Sequence, residues 1–395
     1  MNEAHEAVLS ACVRALGDDL HAAYGYGSTG DVYVQPAGPE HALLLVIADD
    51  VDLESLREIV GPVWPASGEE AGRPPLVATP RSLERHLRLF PLLANHLAHE
   101  GERLAGKRLL AAARVPEAHL AERAAYLAAQ AMEASAALAP AALPPVRAEA
   151  AEERLRRLAA YLSGTEDGTT AECFARVQDS VQELLEALPG ARPARAATAG
   201  SERVSAIYEE TDRVVVVTPV LAAEALGEMA WAEVDGRLEK PGMALRVSTA
   251  EQLRLSLLLE RPLDVALERY QHLHGRDVLE GITIPMRAIW RHAARTPSAL
   301  LIEEVPGAYL TAGDDEARHR VVHDYQNRLL NMRLQHELLH RLHDFEPAEP
   351  PEPLPGRDAP VGTRVKAILG HLGWWADHYV QGMRETPAGN RLRAP

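Results

Sequence analysis

Two histidines four residues apart, His336 and His340, form the pattern with the most definite chemistry in this chain. Residues four apart lie on one face of a helix, so both imidazoles can bind the same Zn²⁺. Glu337 stands between them and can act as the general base on a metal-bound water molecule. The motif predicts, as one alternative, a zinc-dependent hydrolase or peptidase with His336 and His340 as metal ligands and Glu337 as the base.

The composition of the same helix favours a plainer interpretation. Leucines recur beside the histidines, at Leu329, Leu330, Leu334, Leu338 and Leu342. The chain has 17 His, so a pair at this spacing arises readily by chance, and no third ligand follows at a characteristic distance. We therefore expect the histidines to lie on the polar face of an ordinary helix, flanking the leucine stripe.

A glycine-rich segment near the N-terminus is the second candidate for chemistry. It comprises Gly27, Ser28, Thr29 and Gly30, and it lacks the lysine of a Walker-type loop. Backbone N–H groups in such a turn can still bind a phosphate. These four residues are therefore a candidate nucleotide-binding segment.

The elements around these motifs occur twice in the same order, about 170 residues apart, which indicates an internal duplication. Gly27-Ser28 and Gly200-Ser201 each precede strand-like segments. Thr79 and Ser248-Thr249 each offer a hydroxyl that can cap a long helix. We expect those helices to close at Gly106 and at Gly275, where a helix C-cap favours glycine.

Each copy is expected to contain an opening helix, two paired strands, a short helix, a third strand and a long helix. The strands are predicted at 31–35, 42–48 and 75–78, and again at 203–208, 213–218 and 243–247. The short helices are predicted at 52–60 and 220–230, and further helices at 116–136, 147–163, 285–295, 314–344 and 362–384. The first opening helix is expected to include Val8, Cys12, Leu16 and Leu20. The sequence thus predicts an α+β fold, a tandem duplication of a small mixed sheet with helical extensions, in domains 1–165 and 166–395.

At these residues the chain resembles the nucleotidyltransferase superfamily, which includes the small bacterial and kanamycin-type enzymes. In that family a helix runs into a strand that ends in Gly-Ser, and Ala22 to Ser28 is similar to it. The next strand of the family opens with two carboxylates one residue apart and continues as an aliphatic run, to which Leu43 to Ile47 is similar. The resemblance implies binding of a nucleotide together with Mg²⁺.

The carboxylate pair that would hold Mg²⁺ is missing from both copies. The matching positions are His41 and Leu43 in the first copy, and Thr211 and Arg213 in the second. Neither pair supplies the hard oxygen ligands that Mg²⁺ requires. We therefore expect both copies to have lost catalysis.

A third alternative keeps the activity of the family. Asp31 follows the Gly-Ser turn, and Asp49, Asp50 and Asp52 follow the aliphatic run. An active Mg²⁺-dependent nucleotidyltransferase would have to use Asp31 with Asp49 or Asp50. Otherwise these acidic residues belong to solvated loops.

Composition limits the class of protein. The formal net charge is −16, which disfavours bulk binding to nucleic acid. No signal peptide is visible, and the longest apolar run, Ala42 to Ala48, is too short to span a bilayer. Cys12 and Cys173 cannot form a disulfide framework. These features predict an acidic cytoplasmic protein.

The leading hypothesis is therefore a non-catalytic binding or assembly module, acting through an unknown protein partner or through self-association. No cofactor is assigned, since Mg²⁺ and Zn²⁺ belong only to the enzymatic alternatives. Trp374, Trp375 and Tyr379 share the last helical pattern, and docking of that helix onto the core is favoured over an oligomer interface.

Overall fold

The computed structural model describes thirteen continuous segments and several residues between 124 and 138. The segments are 3–26, 42–48, 52–64, 74–109, 145–163, 165, 167–186, 204–210, 213–218, 244–259, 261–343, 345–350 and 352–393, and the further residues are 124, 127, 130, 131 and 134–138. Contacts divide the chain into two compact units. The first unit comprises residues 1–32, 37–115 and 290–388, and the second comprises 33–36, 116–289 and 389–395. This division differs from the predicted domains 1–165 and 166–395, because helices after residue 290 pack into the first unit.

The first sheet lies in the first unit. The elements are α1 (Glu3–Leu16), β1 (Leu20–Tyr26), β2 (Ala42–Ile47), α2 (Leu53–Val60), β3 (Leu76–Ala78), α3 (Pro80–Leu89), α4 (Pro91–Glu100) and β4 (Glu102–Gly106). The strand order is β3-β2-β1-β4. β1 is antiparallel to β2 and to β4, whereas β2 and β3 are parallel.

The second sheet lies in the second unit and has the same connectivity. The elements are α5 (Pro145–Ser163), α6 (Thr170–Glu186), β5 (Ala206–Glu210), β6 (Arg213–Val217), β7 (Ala244–Ser248), α7 (Ala250–Leu259), α8 (Pro262–Ala266) and β8 (Gln271–Gly275). The order is β7-β6-β5-β8, with β6 and β7 parallel and the other pairs antiparallel. The fold is therefore α+β with two small mixed sheets.

The remaining elements follow the second sheet in the chain. They are β9 (Thr283–Pro285), α9 (Met286–Ala299), a π-helical turn (Leu300–Glu304), α10 (Val305–Leu310), α11 (Asp315–His343), α12 (Val361–Glu385) and β10 (Arg391–Arg393). β10 pairs with β9 in the second unit. In the first unit, Ile302 of the π-helical turn packs in the same core as Leu44 and Val46 of β2. No described helix is long and apolar enough to cross a membrane.

Local sequence patterns predicted most of these elements. The expected strands at 42–48, 75–78, 213–218 and 243–247 are confirmed, as are the helices at 52–60, 147–163, 285–295, 314–344 and 362–384. The strand expected at 203–208 is shifted to 206–210. The expected strand 31–35 and helix 220–230 lie outside the described residues, and only part of 116–136 is described.

Two sequence predictions near the first strand were wrong. The opening helix ends at Leu16, and Leu20 begins β1 after a 3₁₀ turn. The antiparallel partner of β2 is β1, which precedes the Gly-Ser turn, and the other edge of β2 pairs with β3. In the second copy, Gly200-Ser201 precedes the equivalent strand β5, so the two Gly-Ser pairs are not topological equivalents.

The predicted long helices are also corrected. Gly106 and Gly275 do not cap helices but end the edge strands β4 and β8. The helical pattern is interrupted at Pro91 and again at Pro262, each of which starts a new helix. Proline disfavours helical geometry in the preceding residue, so the chain turns there and returns to the sheet as a strand.

The two sheets agree in detail beyond their strand order. The β1–β4 ladder shifts register between Ala23 and Tyr24, and the β5–β8 ladder shifts between Ile207 and Tyr208. Both tyrosines are buried, and each hydroxyl accepts a backbone N–H from the segment after the edge strand. The donor to Tyr24 is Leu109, at 2.6 Å. The donor to Tyr208 is Val278, at 2.7 Å.

Candidate functional site

The first sheet brings two helix N-termini to one edge. β2 and β3 are parallel, so their carboxyl ends lie at the same edge of the sheet. α2 begins at Leu53 after β2, and α3 begins at Pro80 after β3. Clefts at the carboxyl ends of parallel strands are common ligand sites, and helix N-termini there favour negatively charged groups.

Side-chain caps fix both helix starts. Thr79 Oγ1 accepts the Ser82 N–H at 3.1 Å, and Ser82 Oγ accepts the Thr79 N–H at 2.9 Å. Asp52 caps α2 by accepting the Glu54 N–H at 3.2 Å and the Ser55 hydroxyl at 2.6 Å. The Ser55 hydrogen bond is the largest cause of the lowered pKa of Asp52. Asp52 is therefore occupied as a helix cap.

A cleft of about 370 Å³ opens at this edge between α3 and α12. Its polar lining consists of Thr79, Arg81, Ser82, Arg85, Lys366 and Asp377. Three of these side chains are cations and one is a carboxylate, so the cleft carries net positive charge in a protein whose net charge is −16. The partly exposed ring of Trp374 also lines the cleft. Such a site suits an anion with a planar apolar part.

An ion-pair network holds the arginines of the cleft. Arg81 and Arg85 lie four residues apart, on one face of α3, and both reach Asp377 of α12. Arg81 Nη2 lies 2.9 Å from Asp377 Oδ2, and Arg85 Nη1 lies 2.7 Å from Oδ1. Arg85 also donates to the Gly373 carbonyl at 3.1 Å. Its side chain is only 9% exposed, whereas that of Arg81 is 83% exposed.

The two arginines therefore have different roles. Arg85 is a buried anchor that joins α3 to α12, and its loss would leave Asp377 without its inner partner. Arg81 lies in solvent at the mouth, where it can leave Asp377 and reach a ligand. Lys366 is exposed on the opposite wall and has no ion pair among the described residues.

A second cleft, of about 380 Å³, adjoins the first and shares Lys366 and Leu369 with it. Its acidic lining residues are Asp52 and Glu54. Glu54 accepts a hydrogen bond from the hydroxyl of the buried Tyr309, and Arg318 Nη1 lies 3.5 Å from Glu54 Oε2. Burial, followed by the Glu54 hydrogen bond, raises the pKa of Tyr309 to about 12. This cleft is therefore lined by carboxylates that are already held by neighbouring groups.

The sequence did not single out the charged residues of the positive cleft. Arg81 and Arg85 follow Thr79-Pro80 at a four-residue spacing, and Lys366 is one of only three lysines. The spacing of the arginines and the scarcity of lysine are the two sequence features that could have indicated this cleft. The predicted segment Gly27, Ser28, Thr29 and Gly30 lies outside the described residues, as do Asp31, Asp49 and Asp50. β1, which leads to it, ends at Tyr26 opposite Ala42, the first residue of β2.

The proposed zinc ligands are in different surroundings. His336 is 1% exposed, and its Nε2–H donates to the Glu346 carbonyl at 2.9 Å. His340 is exposed, and its Nδ1 contacts the Phe345 carbonyl. Glu337 lies 3.3 Å from Arg333 Nε in an ion pair along the helix. Among the described residues, no group of three or more His, Cys, Asp or Glu side chains can hold a metal ion.

The structure thus reverses the expected faces of α11. Its buried face consists of Val322, Tyr325, Leu329, Met332, His336 and Leu339. The expectation that His336 lies on the polar face was wrong, because its ring fills a space in an aromatic cluster. Ring centroids lie 5.1 Å from Trp375, 5.3 Å from His378 and 5.7 Å from Tyr379. Trp375 and Tyr379 are buried, as docking of the last helix requires.

Acidification is expected to destabilise the first unit through this cluster. Burial lowers the pKa of His336, of His378 and of His371 on the same helix as His378. The carbonyl of Glu346 and the carboxylates of Glu337 and Glu385 oppose this shift only in part. The folded state therefore binds fewer protons than the unfolded state, whose histidines titrate near pH ~6.5.

Stability should accordingly be complete above pH ~6.5 and should fall as the pH drops through the folded pKa values. Urea unfolding followed by tryptophan fluorescence between pH 8 and 5 measures this. His378→Gln should reduce the dependence on pH, because glutamine does not titrate. A pH dependence that is the same in the variant would contradict the assignment.

No protein-family model, no curated protein and no solved structure matches this chain.

Proposed function

We propose that this protein is a non-catalytic binding protein whose first unit binds a small anion with a planar aromatic part, such as a nucleoside phosphate, in the positive cleft. The observation that carries the proposal is the convergence of Arg81, Arg85 and Lys366 on a cleft of about 370 Å³, in whose described lining Asp377 is the one acidic residue. The cleft lies at the carboxyl end of β3, beside the capped start of α3. Trp374 offers a ring against which a base can stack.

We further propose that the two sheets descend from one duplicated unit of the nucleotidyltransferase-like kind. Three shared features support it. The strand order is the same, and a register shift lies directly before Tyr24 in one sheet and directly before Tyr208 in the other. In both sheets a glycine with positive φ ends the edge strand. Two unrelated sheets would have no physical reason to share every one of these features. Their agreement is what a common ancestral unit would leave behind.

The proposed lack of catalysis rests on the position where the family carries its metal carboxylates. Leu43 stands there in the first copy, and its side chain is fully buried in the core. Arg213 stands there in the second copy. Asp52, the described acid after β2, is engaged as the cap of α2. A cytoplasmic location belongs to the same proposal. Cys12 and Cys173 are buried and form no disulfide, which is compatible with a reducing compartment.

Binding of AMP is the direct test, with inorganic phosphate as a second probe that lacks the ring. Isothermal titration should show AMP binding that weakens about tenfold in Arg81→Gln and in Lys366→Gln, since each removes a charge-assisted hydrogen bond. Trp374→Leu should weaken AMP binding but leave phosphate binding unchanged. Binding should also weaken as salt is raised, because both cations are exposed and screened.

The matched control is Arg88→Gln, on the same helix as Arg81 but paired with Glu84 away from the cleft. It should bind AMP like the wild-type protein. Ser28→Trp tests the alternative that AMP binds at the predicted Gly-Ser turn and not in the positive cleft. Loss of AMP binding in Ser28→Trp but not in Arg81→Gln, or no binding of either probe, would refute the cleft as the site.

A further inference from the structure

An acidic side chain of the protein already binds the arginines that an anionic ligand of the positive cleft would need. Asp377 places one carboxylate oxygen on each arginine of α3. Its Oδ2 lies 2.9 Å from Arg81 Nη2, and its Oδ1 lies 2.7 Å from Arg85 Nη1. Guanidinium groups bind carboxylate and phosphate with the same donor geometry. The Asp377 carboxylate therefore occupies donors that would otherwise be open to a phosphate group.

The two contacts of Asp377 differ in how easily they can be broken. Arg85 is 9% exposed and also donates to the Gly373 carbonyl at 3.1 Å, so burial and a second hydrogen bond hold it in place. Arg81 is 83% exposed, and Asp377 is 45% exposed. An ion pair so open to water contributes little to stability, because solvent and salt screen it. Arg81 is thus the partner that Asp377 can release at low cost.

We propose that Asp377 is an internal competitor that lowers the affinity of the positive cleft for its ligand; this rests on the binding function proposed above. When a phosphate group binds, Arg81 turns from Asp377 to the phosphate, while Arg85 keeps the carboxylate in place. Binding then has two costs. The contact between Arg81 and Asp377 is lost, and the carboxylate repels the phosphate beside it.

These costs bear on which anions fill the cleft. A small inorganic anion meets only the cations and has nothing further to offset the loss. A ligand with an aromatic ring also gains contact with Trp374, which lines the same cleft. Asp377 thereby disfavours occupation by small anions, in the way that an unpaired charge selects against a wrong ligand.

Isothermal titration of the full chain with AMP and with inorganic phosphate tests the proposal. Asp377→Asn should tighten the binding of both probes by the same factor, about tenfold, because the competitor acts on the phosphate group that they share. Asparagine preserves the size of the side chain and still accepts a hydrogen bond from Arg85, and thermal melting verifies that the variant folds.

The matched control is Glu84→Gln, which removes the same charge from α3. Glu84 is paired with Arg88 away from the cleft, so this variant should bind both probes like the wild-type protein. An equal gain in affinity in Glu84→Gln and in Asp377→Asn would mean that only the net charge matters, and would overturn the proposal.

A double-mutant cycle tests the exchange of Arg81 directly. In the wild-type protein, the contact that Arg81 gains with the ligand is offset by the contact with Asp377 that it gives up. Arg81→Gln should therefore weaken AMP binding more in the Asp377→Asn background than in the wild-type background. Equal losses in the two backgrounds would contradict the exchange.

The failure of this proposal and the failure of the binding site itself give different results. AMP binding that is unchanged or weaker in Asp377→Asn would overturn the internal competitor and leave the site intact. If neither probe bound to the wild-type protein or to Asp377→Asn, the site would be refuted, and the competitor with it.

Discussion

Gly275→Ala is expected to lower the free energy of unfolding of the second unit by about 3 kcal/mol or more. Gly275 ends β8 with φ +81, a left-handed conformation that costs other residues about 1–2 kcal/mol. A Cβ at this position would lie 2.1 Å from the Ser205 carbonyl oxygen and 2.8 Å from its carbon. Both are backbone atoms of the segment leading into β5, so they cannot move aside without breaking the ladder.

The first sheet repeats the same situation at Gly106, with φ +70 and a Cβ position 2.3 Å from the His21 carbonyl oxygen. Gly106→Ala should therefore cost a similar amount in the first unit. Hydrogen exchange of the strand amides reports each sheet separately, because two units need not unfold together.

Gly281 is the matched control for strain without a clash. Its φ is +73, but a Cβ there would meet nothing within 4 Å. Gly281→Ala should cost only about 1 kcal/mol, the conformational part alone. If Gly275→Ala proved no more destabilising than Gly281→Ala, the close approach of the strands at the end of β8 would be disproved.

Trp375→Ala is expected to destabilise the first unit by about 3–5 kcal/mol. Trp375 is 1% exposed and is the largest fully buried side chain among the described residues. Its ring stacks on Tyr379, with centroids 5.4 Å apart, and packs beside His336. Removal leaves a cavity where α11 meets α12, and rigid aromatic neighbours cannot easily collapse into it. Urea unfolding followed by circular dichroism, at unchanged m-value, measures the loss.

Trp374→Ala provides the comparison within the same dipeptide. Trp374 is partly exposed, lines the positive cleft and stacks on His378 with planes 2° apart. We expect a much smaller loss of stability than for Trp375→Ala, because part of the Trp374 side chain already contacts water. Equal losses would mean that the two tryptophans share one environment, contrary to their burial.

Several features of the fold could be predicted because they depend on neighbours in sequence. Thr79 followed by proline marks the start of α3, since the cap and the first turn lie within four residues. Val-rich and Leu-rich runs mark β2 and β6, which are buried on both faces and so need apolar residues throughout. The helical extensions were predicted for a similar reason, from spacing within each segment.

Other features depended on which partner each segment finds. Gly106 was compatible with a helix end or a strand end, and only pairing with Ala22 of β1 decides between them. The positive cleft joins Arg85 to Asp377, which are 292 positions apart, so no local pattern could reveal it.

The sequence by itself determined an α+β protein with two similar runs of elements and the starts of its main helices. Only the tertiary structure decided which face of α11 is inside. That helix carries two apolar rows, and helical periodicity is equally consistent with either row being the buried one. Packing against α12 buries the row with Leu329, Met332 and His336, because only the face that meets a neighbouring helix is covered. The row of leucines at 330, 334, 338 and 342 stays in solvent.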